Sequence, residues 1–178
     1  GRDLFAGKQL HSAGYESPLP FREKRVLVIG EGNSGAQILA DLLPHTEAAH
    51  WATKDEPNFL PEDVDGRVLF NVASAKYYAE QKGETFDTTQ LNLGNIVLVP
   101  SIRQAYRDGH LVSRGQIREI TESGVVWQNG REEQYDALVW CTGFHYATDH
   151  LKELVPRDHR GRIKTNGTKA TDIDNLWL

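Results

Sequence analysis

The chain has 178 residues, enough for one domain of ordinary size with a buried core of its own. Its net charge is −5, and the acidic and basic residues are interspersed, which speaks against nucleic acid as the main partner. A single cysteine, Cys141, excludes an internal disulfide and a Cys-x-x-Cys redox pair; no apolar run reaches membrane-spanning length and no signal peptide opens the chain, so a cytoplasmic protein without a membrane partner is expected.

Residues 1–22 show no clear helix or strand and are punctuated by Gly7, Gly14, Pro18 and Pro20, so they read as a linker segment. The next stretch organises the rest. Val26 to Ile29 is a short aliphatic run of the kind buried on both faces of a parallel sheet. Gly30, Gly32 and Gly35 follow in Gly-x-Gly-x-x-Gly spacing, and Ala36, Leu39, Ala40 and Leu43 repeat at helical spacing up to Pro44. Strand, glycine turn and helix together specify a dinucleotide site. Gly30 makes the tight turn, Gly32 leaves the backbone open to a pyrophosphate, and Gly35 lets the helix pack on the strand. The positive end of the helix favours the phosphates.

Ala48 to Thr53 reads as the second strand, parallel to the first through a right-handed crossover. Its end is where an adenosine ribose lies. Thr53 and Lys54, eighteen and nineteen residues after Gly35, suit a 2′-phosphate and favour NADP. Asp55 and Glu56 come next, and a strand ending one residue later would give Asp55 the ribose and favour NAD.

Residues 57–66 read as a loop, Val68 to Gln81 as a helix, and Gly83 to Gly94 as irregular. Ser101 is placed to cap a short helix ending at Arg107, whose Arg103 and Arg107 share a solvated face. Leu111–Val112, Gly115 to Thr121 and Val125 to Gln128 alternate like antiparallel strands, with a hairpin turn at Asn129–Gly130. Asp136 to Cys141 is another buried strand, ending in Thr142 and Gly143, a place for backbone to approach a ligand. Residues 145–172 read as loop and short hairpin, and Ile173 to Leu178 as the start of a final strand. His45, His50, His110, His145, His150 and His159 lack metal-ligand spacing, so no metal site is expected.

The expected fold is α/β: a Rossmann-like, three-layer dinucleotide-binding domain with a parallel sheet and a β-meander insertion. Its parts are a linker at 1–22, an NAD(P)H-binding domain at 23–143 and a returning segment at 144–178. With no methionine and an ending inside an apparent strand, the chain reads as a piece of something longer.

Three features resemble the flavin-containing monooxygenases. Phe5-x-Gly7-x-x-x-His11-x-x-x-Tyr15 matches the fingerprint that precedes that family's NADPH domain, although Glu16 follows the aromatic residue where the family places Pro, Lys or Asp. GEGNSG at 30–35 is similar to its second glycine motif, and Cys141-Thr142-Gly143-Phe144 to its Thr-Gly return motif. The resemblance covers nearly all of the chain, but a first glycine motif for FAD is absent from it.

The resemblance implies an FAD- and NADPH-dependent monooxygenase or oxidoreductase as the parent protein. Hydride would pass from NADPH to FAD, and the reduced flavin would activate oxygen for transfer to a small-molecule substrate. Gly30, Gly32, Asn33, Ser34 and Gly35 would hold the pyrophosphate, and Thr53 and Lys54 the 2′-phosphate. Thr142 and Gly143 would approach the cofactor, and His11 and Tyr15 would work at the hinge with the FAD domain of the same protein. A flavin reductase of the pyridine nucleotide-disulfide oxidoreductase type and a non-catalytic NADP-binding module are the alternatives; homodimerisation is left open.

Overall fold

The computed structural model describes residues 1–64, 66–84 and 95–178, which fall into two compact units, Gly1–Thr142 and Gly143–Leu178. The first unit is built on a four-stranded parallel sheet. Its strands are β1 (Lys8–His11), β2 (Arg25–Ile29), β3 (Ala48–Ala52) and, much later in the chain, β7 (Ala137–Trp140). Their spatial order is β1-β7-β2-β3. The register sets His11, Trp140, Ile29 and Ala52 side by side, so the four strands end on one line. The residues just beyond that line form the rim of the candidate site.

Side-chain alternation in β2 and β7 divides the interior. Val26, Val28, Ala137 and Val139 point to one face, where they meet Ala36, Leu39 and Leu42 of α1 (Asn33–Leu42) and Ile102 of α3 (Pro100–Arg107). Leu27 and Leu138 point to the other, where they meet Val125, Trp127 and Tyr135. Both leucines are fully buried, each worth about 2 kcal/mol by transfer from water. The second face is covered by a meander of β4 (Ile117–Ile120), β5 (Gly124–Trp127) and β6 (Glu132–Gln134). Helices, parallel sheet and meander are the three expected layers.

The β5–β6 hairpin turns at Asn129 and Gly130. Gly130 has φ +83°, and the Asn129 side chain accepts the Arg131 N–H at 3.0 Å, which is why this dipeptide closes the hairpin. α2 (Gly66–Gln81) forms where a helix was expected, but Phe70, Tyr77 and Tyr78 on it are exposed. The expectation for Gly83 to Gly94 lies, from residue 85 on, outside the described residues.

Four expectations are corrected. Residues 1–22 are not a bare linker: β1 is an edge strand of the sheet, and Phe5 and Phe21 are buried in the two cores. The segment KQLH is short and polar, so it carries no strand signal; its backbone pairing with β7 decides. Ser101 is not the cap of α3, which starts at Pro100 after Val99, because proline needs no partner for an N–H at the first helical position. Leu111–Val112 is not a strand; the stretch is attached to β3 by an isolated bridge between Trp51 and Ser113. Ile173 to Leu178 makes only a bridge, Lys169 to Trp177, beside the small hairpin of β8 (Thr165–Asn166) and β9 (Lys169–Ala170). The second unit keeps a small core of Val155, Ile163 and Ala170.

Candidate functional site: a cleft at the carboxyl ends of the parallel strands

A cleft of about 520 Å³ opens over the ends of β2, β3 and β7. Its lining comprises Ile29 to Gly32, Ala52 to Lys54, Gln116, Ile117, Cys141 and Thr142. The chain leaves β2 through α1 toward β3 on one side, while β7 lies on the other. Such a switch point in an open parallel sheet is where ligands bind.

The glycine turn is built by three different constraints. Gly30 has φ +127°, and a Cβ there would lie 2.2 Å from the Cys141 carbonyl oxygen, so only glycine lets the ends of β2 and β7 come together. Gly35 is buried, and its Cβ would lie 2.3 Å from the Gly30 carbonyl oxygen, which is the close packing of helix on strand. At Gly32 a Cβ would meet no atom of the described residues within 4 Å, so this glycine keeps the surface bare rather than relieving a clash. Gly32 is the N-cap of α1 and lines the cleft, and among the described residues no side chain caps the helix, which leaves its first N–H groups without a side-chain cap.

The Gly30 carbonyl is fixed from below. The indole of Trp51, fully buried on β3, donates to it at 2.7 Å. Sequence reasoning passed over Trp51, since nothing in the spacing of β3 ties its indole to a turn earlier in the chain. Asn33, expected to hold pyrophosphate, has its side chain engaged elsewhere: its Oδ1 accepts the Val97 N–H at 2.9 Å and its Nδ2 donates to the Asn95 carbonyl at 3.4 Å. Ser34 is exposed in the first turn of α1.

The opposite wall is polar and already bonded within itself. Thr53 is only 4% exposed; its hydroxyl donates to the Asp55 carbonyl at 2.7 Å and lies 2.5 Å from the Ser113 hydroxyl. Lys54 is exposed at the cleft edge, and its carbonyl accepts from the Gln116 side chain at 2.6 Å. Glu31, within the glycine motif, accepts the backbone N–H groups of Lys54 at 3.2 Å and Asp55 at 3.0 Å. Glu31 and Gln116 were not singled out from the sequence. Glu31 was readable as a charge beside the strand end, whereas Gln116 sits sixty-two residues from its partner.

This wall is moored by a charged network behind it. Arg114 donates its backbone N–H to the Trp51 carbonyl at 2.8 Å, and its guanidinium bonds both Glu133 oxygens at 2.7 and 2.9 Å. Burial of the Glu133 carboxyl would raise its pKa. Bonds from Arg131, Tyr135 and Trp127 and the charge of Arg114 outweigh that and bring it down to about 2. His50, on β3, has its pKa lowered by burial and by the Arg114 guanidinium 2.6 Å from its Nε2.

Cys141 and Thr142 line the cleft, while Gly143, with φ +94°, belongs to the second unit and is not among the lining residues. Burial pushes the Cys141 thiol up to about 11, so it is not a ready thiolate. His11 ends β1, and its Nδ1 accepts the Ala13 N–H at 3.1 Å, capping the following turn. Tyr15 leaves the rim: its hydroxyl donates to Asp41 on α1 at 2.7 Å and its ring stacks on Phe21. Burial and the Asp41 carboxylate hold its pKa above the ordinary value. Phe5 and Gly7, the other two residues of the fingerprint, are structural. A Cβ on Gly7 would come within 2.5 Å of the buried Phe5 ring. Arg103 and Arg107 turn to Glu62, which bonds Arg107 through both of its oxygens.

Comparison with known proteins gives these arrangements a relative. The flavin-binding monooxygenase-like family matches residues 1–65. A solved structure of a flavin-containing monooxygenase from Stenotrophomonas maltophilia is 38% identical, with a TM-score of 0.82 over 100% of this chain and 48% of that one. A probable indole-3-pyruvate monooxygenase of Arabidopsis thaliana, YUCCA1, is 27% identical over 99% of this chain and 48% of its own. Flavin-containing monooxygenase 1 of Homo sapiens is 28% identical over 91% of this chain and 35% of its own. The chain therefore spans about half the length, or less, of the curated relatives it matches.

Proposed function

We infer that this chain, which is similar to flavin-containing monooxygenases, is the NADPH-binding portion of an FAD-dependent monooxygenase acting on a small-molecule substrate. The observation that carries the reading is the bare surface at Gly32. There the uncapped first turn of α1 opens beside a cleft at the switch point of a parallel sheet.

The residues present fit a dinucleotide. Backbone N–H groups of Asn33, Ser34 and Gly35 take the pyrophosphate, and the ammonium of Lys54 takes the 2′-phosphate. Thr53 acts through the turn it braces rather than by touching the ligand. Thr142 closes the cleft from the β7 side. When bound, the nicotinamide supplies a hydride and the flavin accepts it and activates oxygen; the protein positions both and excludes water. The chain holds one Gly-x-Gly-x-x-Gly motif, which the NADPH site uses, so the FAD is held by the FAD domain of the same protein. His11 ends the edge strand and Tyr15 ties the following segment to α1, so together they fix where the connection between the two domains leaves the sheet.

The test is calorimetric titration of the purified protein with NADPH and NADH, followed by anaerobic mixing with NADPH and observation of the flavin absorbance. Tighter binding of NADPH and bleaching of the flavin are expected. Binding of neither nucleotide would remove the dinucleotide reading. Binding without flavin reduction would leave a nucleotide-binding module. A disulfide-reductase reading is less favoured by the half-buried, high-pKa thiol of the lone Cys141.

A further inference from the structure

Glu31 stands where a cofactor's ribose-end anion would be bound. Two consecutive backbone N–H groups, those of Lys54 and Asp55, converge on its Oε2 at 3.2 and 3.0 Å. Successive N–H groups in a turn are a general anion-binding device. This pair lies at the end of β3, where the ribose of a dinucleotide rests, and both Glu31 and Lys54 line the cleft. The turn is held ready by the Thr53 bond to Asp55 and by Gln116 on the Lys54 carbonyl. It is an anion nest, and a carboxylate of the protein fills it.

We propose that Glu31 is a specificity-determining residue that acts against Lys54, occupying the N–H pair a 2′-phosphate would take and placing a negative charge beside the ribose. This rests on the dinucleotide reading of the cleft. The physical consequence is a chain that accepts both nicotinamide dinucleotides, with a weaker NADPH preference than Lys54 alone would give. A 2′-phosphate has to displace or repel the carboxylate, whereas a 2′-hydroxyl can donate a hydrogen bond to it.

The experiment compares the purified wild-type protein with Glu31→Gln and Glu31→Ala by calorimetric titration with NADPH, NADH, 2′,5′-ADP and 5′-ADP. Glu31→Gln keeps an acceptor for the turn and removes only the charge, so it guards against a trivial loss of the turn. Both variants are expected to raise the NADPH-to-NADH affinity ratio about tenfold, the size of one like charge removed at a partly exposed site. The gain is expected to repeat with 2′,5′-ADP and not with 5′-ADP. An unchanged or lowered ratio in both variants, with wild-type binding intact, would overturn the role of Glu31 and leave the cofactor site standing. Absence of nucleotide binding by the wild type would overturn the cofactor site, and this role with it.

Discussion

The two walls of the cleft are made by opposite means. The glycine turn is shaped by backbone and apolar packing: a strand buried on both faces, one strained glycine, one close-packed glycine and an indole bond beneath. The wall from Thr53 to Asp55 and Gln116 is shaped by polar side chains bonded to one another and moored to an ion-pair network. A ligand at the first wall would meet backbone that no side chain of the described residues caps. At the second it meets groups that already have partners. On the proposed dinucleotide reading, affinity for the shared part of the ligand is expected to belong to the first wall, and discrimination between dinucleotides to the second.

The sharpest way to break this comparison is within the glycine turn itself. Gly30→Ala places a side chain at φ +127° and 2.2 Å from a backbone oxygen. It is expected to cost about 3 kcal/mol or more of stability, read by urea denaturation. At Gly32 an added Cβ meets no atom of the described residues within 4 Å, so Gly32→Val starts from open space. It is expected to cost no more than about 1 kcal/mol of stability. Yet it should weaken both NADPH and NADH about 100-fold, or about 2.7 kcal/mol, by covering the helix N-terminus. Retained affinity in a folded Gly32→Val protein would show that the ligand does not approach the backbone there.

The polar wall should respond to pH where the glycine wall does not. The folded-state pKa of Glu133 is depressed from 4.5 to about 2, so its contribution is present above pH 4.5 and is lost as pH falls toward 2. His50 is depressed from 6.5, so protonating it also opposes the fold, beginning as pH falls below 6.5. Both act in the same direction. Glu133 accounts for about 2 kcal/mol after allowance for partial solvent screening. Thermal unfolding across this range should show the loss in the wild type. In Glu133→Gln the part between pH 4.5 and 2 should disappear, and a slope unchanged by that substitution would place the acid sensitivity elsewhere.

The two walls were unequally legible for the same physical reason that they differ. The glycine turn is local: strand, turn and helix lie within Arg25–Leu42, so spacing alone predicts where the backbone must come close. The β5–β6 hairpin was legible likewise, since Asn129 and Gly130 carry their own turn chemistry. The polar wall is assembled from partners far apart in sequence, such as Thr53 with Ser113 and Gln116 with Lys54, and no periodicity records such pairs. The edge strand β1 was missed because its pairing with β7 is a backbone matter, indifferent to the polar side chains of KQLH. At Asn33 the family resemblance implied a ligand contact, but the side chain holds Val97 and Asn95.

The smallest expected effect is the finest test of how the walls divide their work. Lys54 is exposed, and it holds the turn through its backbone N–H and carbonyl. Lys54→Ala should therefore leave stability within about 0.5 kcal/mol of the wild type. It removes one charge-assisted partner of a 2′-phosphate at a solvated edge, so NADPH affinity should fall about tenfold, or about 1.4 kcal/mol, while NADH changes by less than about twofold. Raising the salt concentration should shrink the difference, because an exposed charge is screened. An NADPH-to-NADH ratio that does not move would take Lys54 out of the site and leave selection to the backbone of the turn. Equal losses for both nucleotides would instead mean that the two walls are coupled, and that the ribose end and the pyrophosphate are read together.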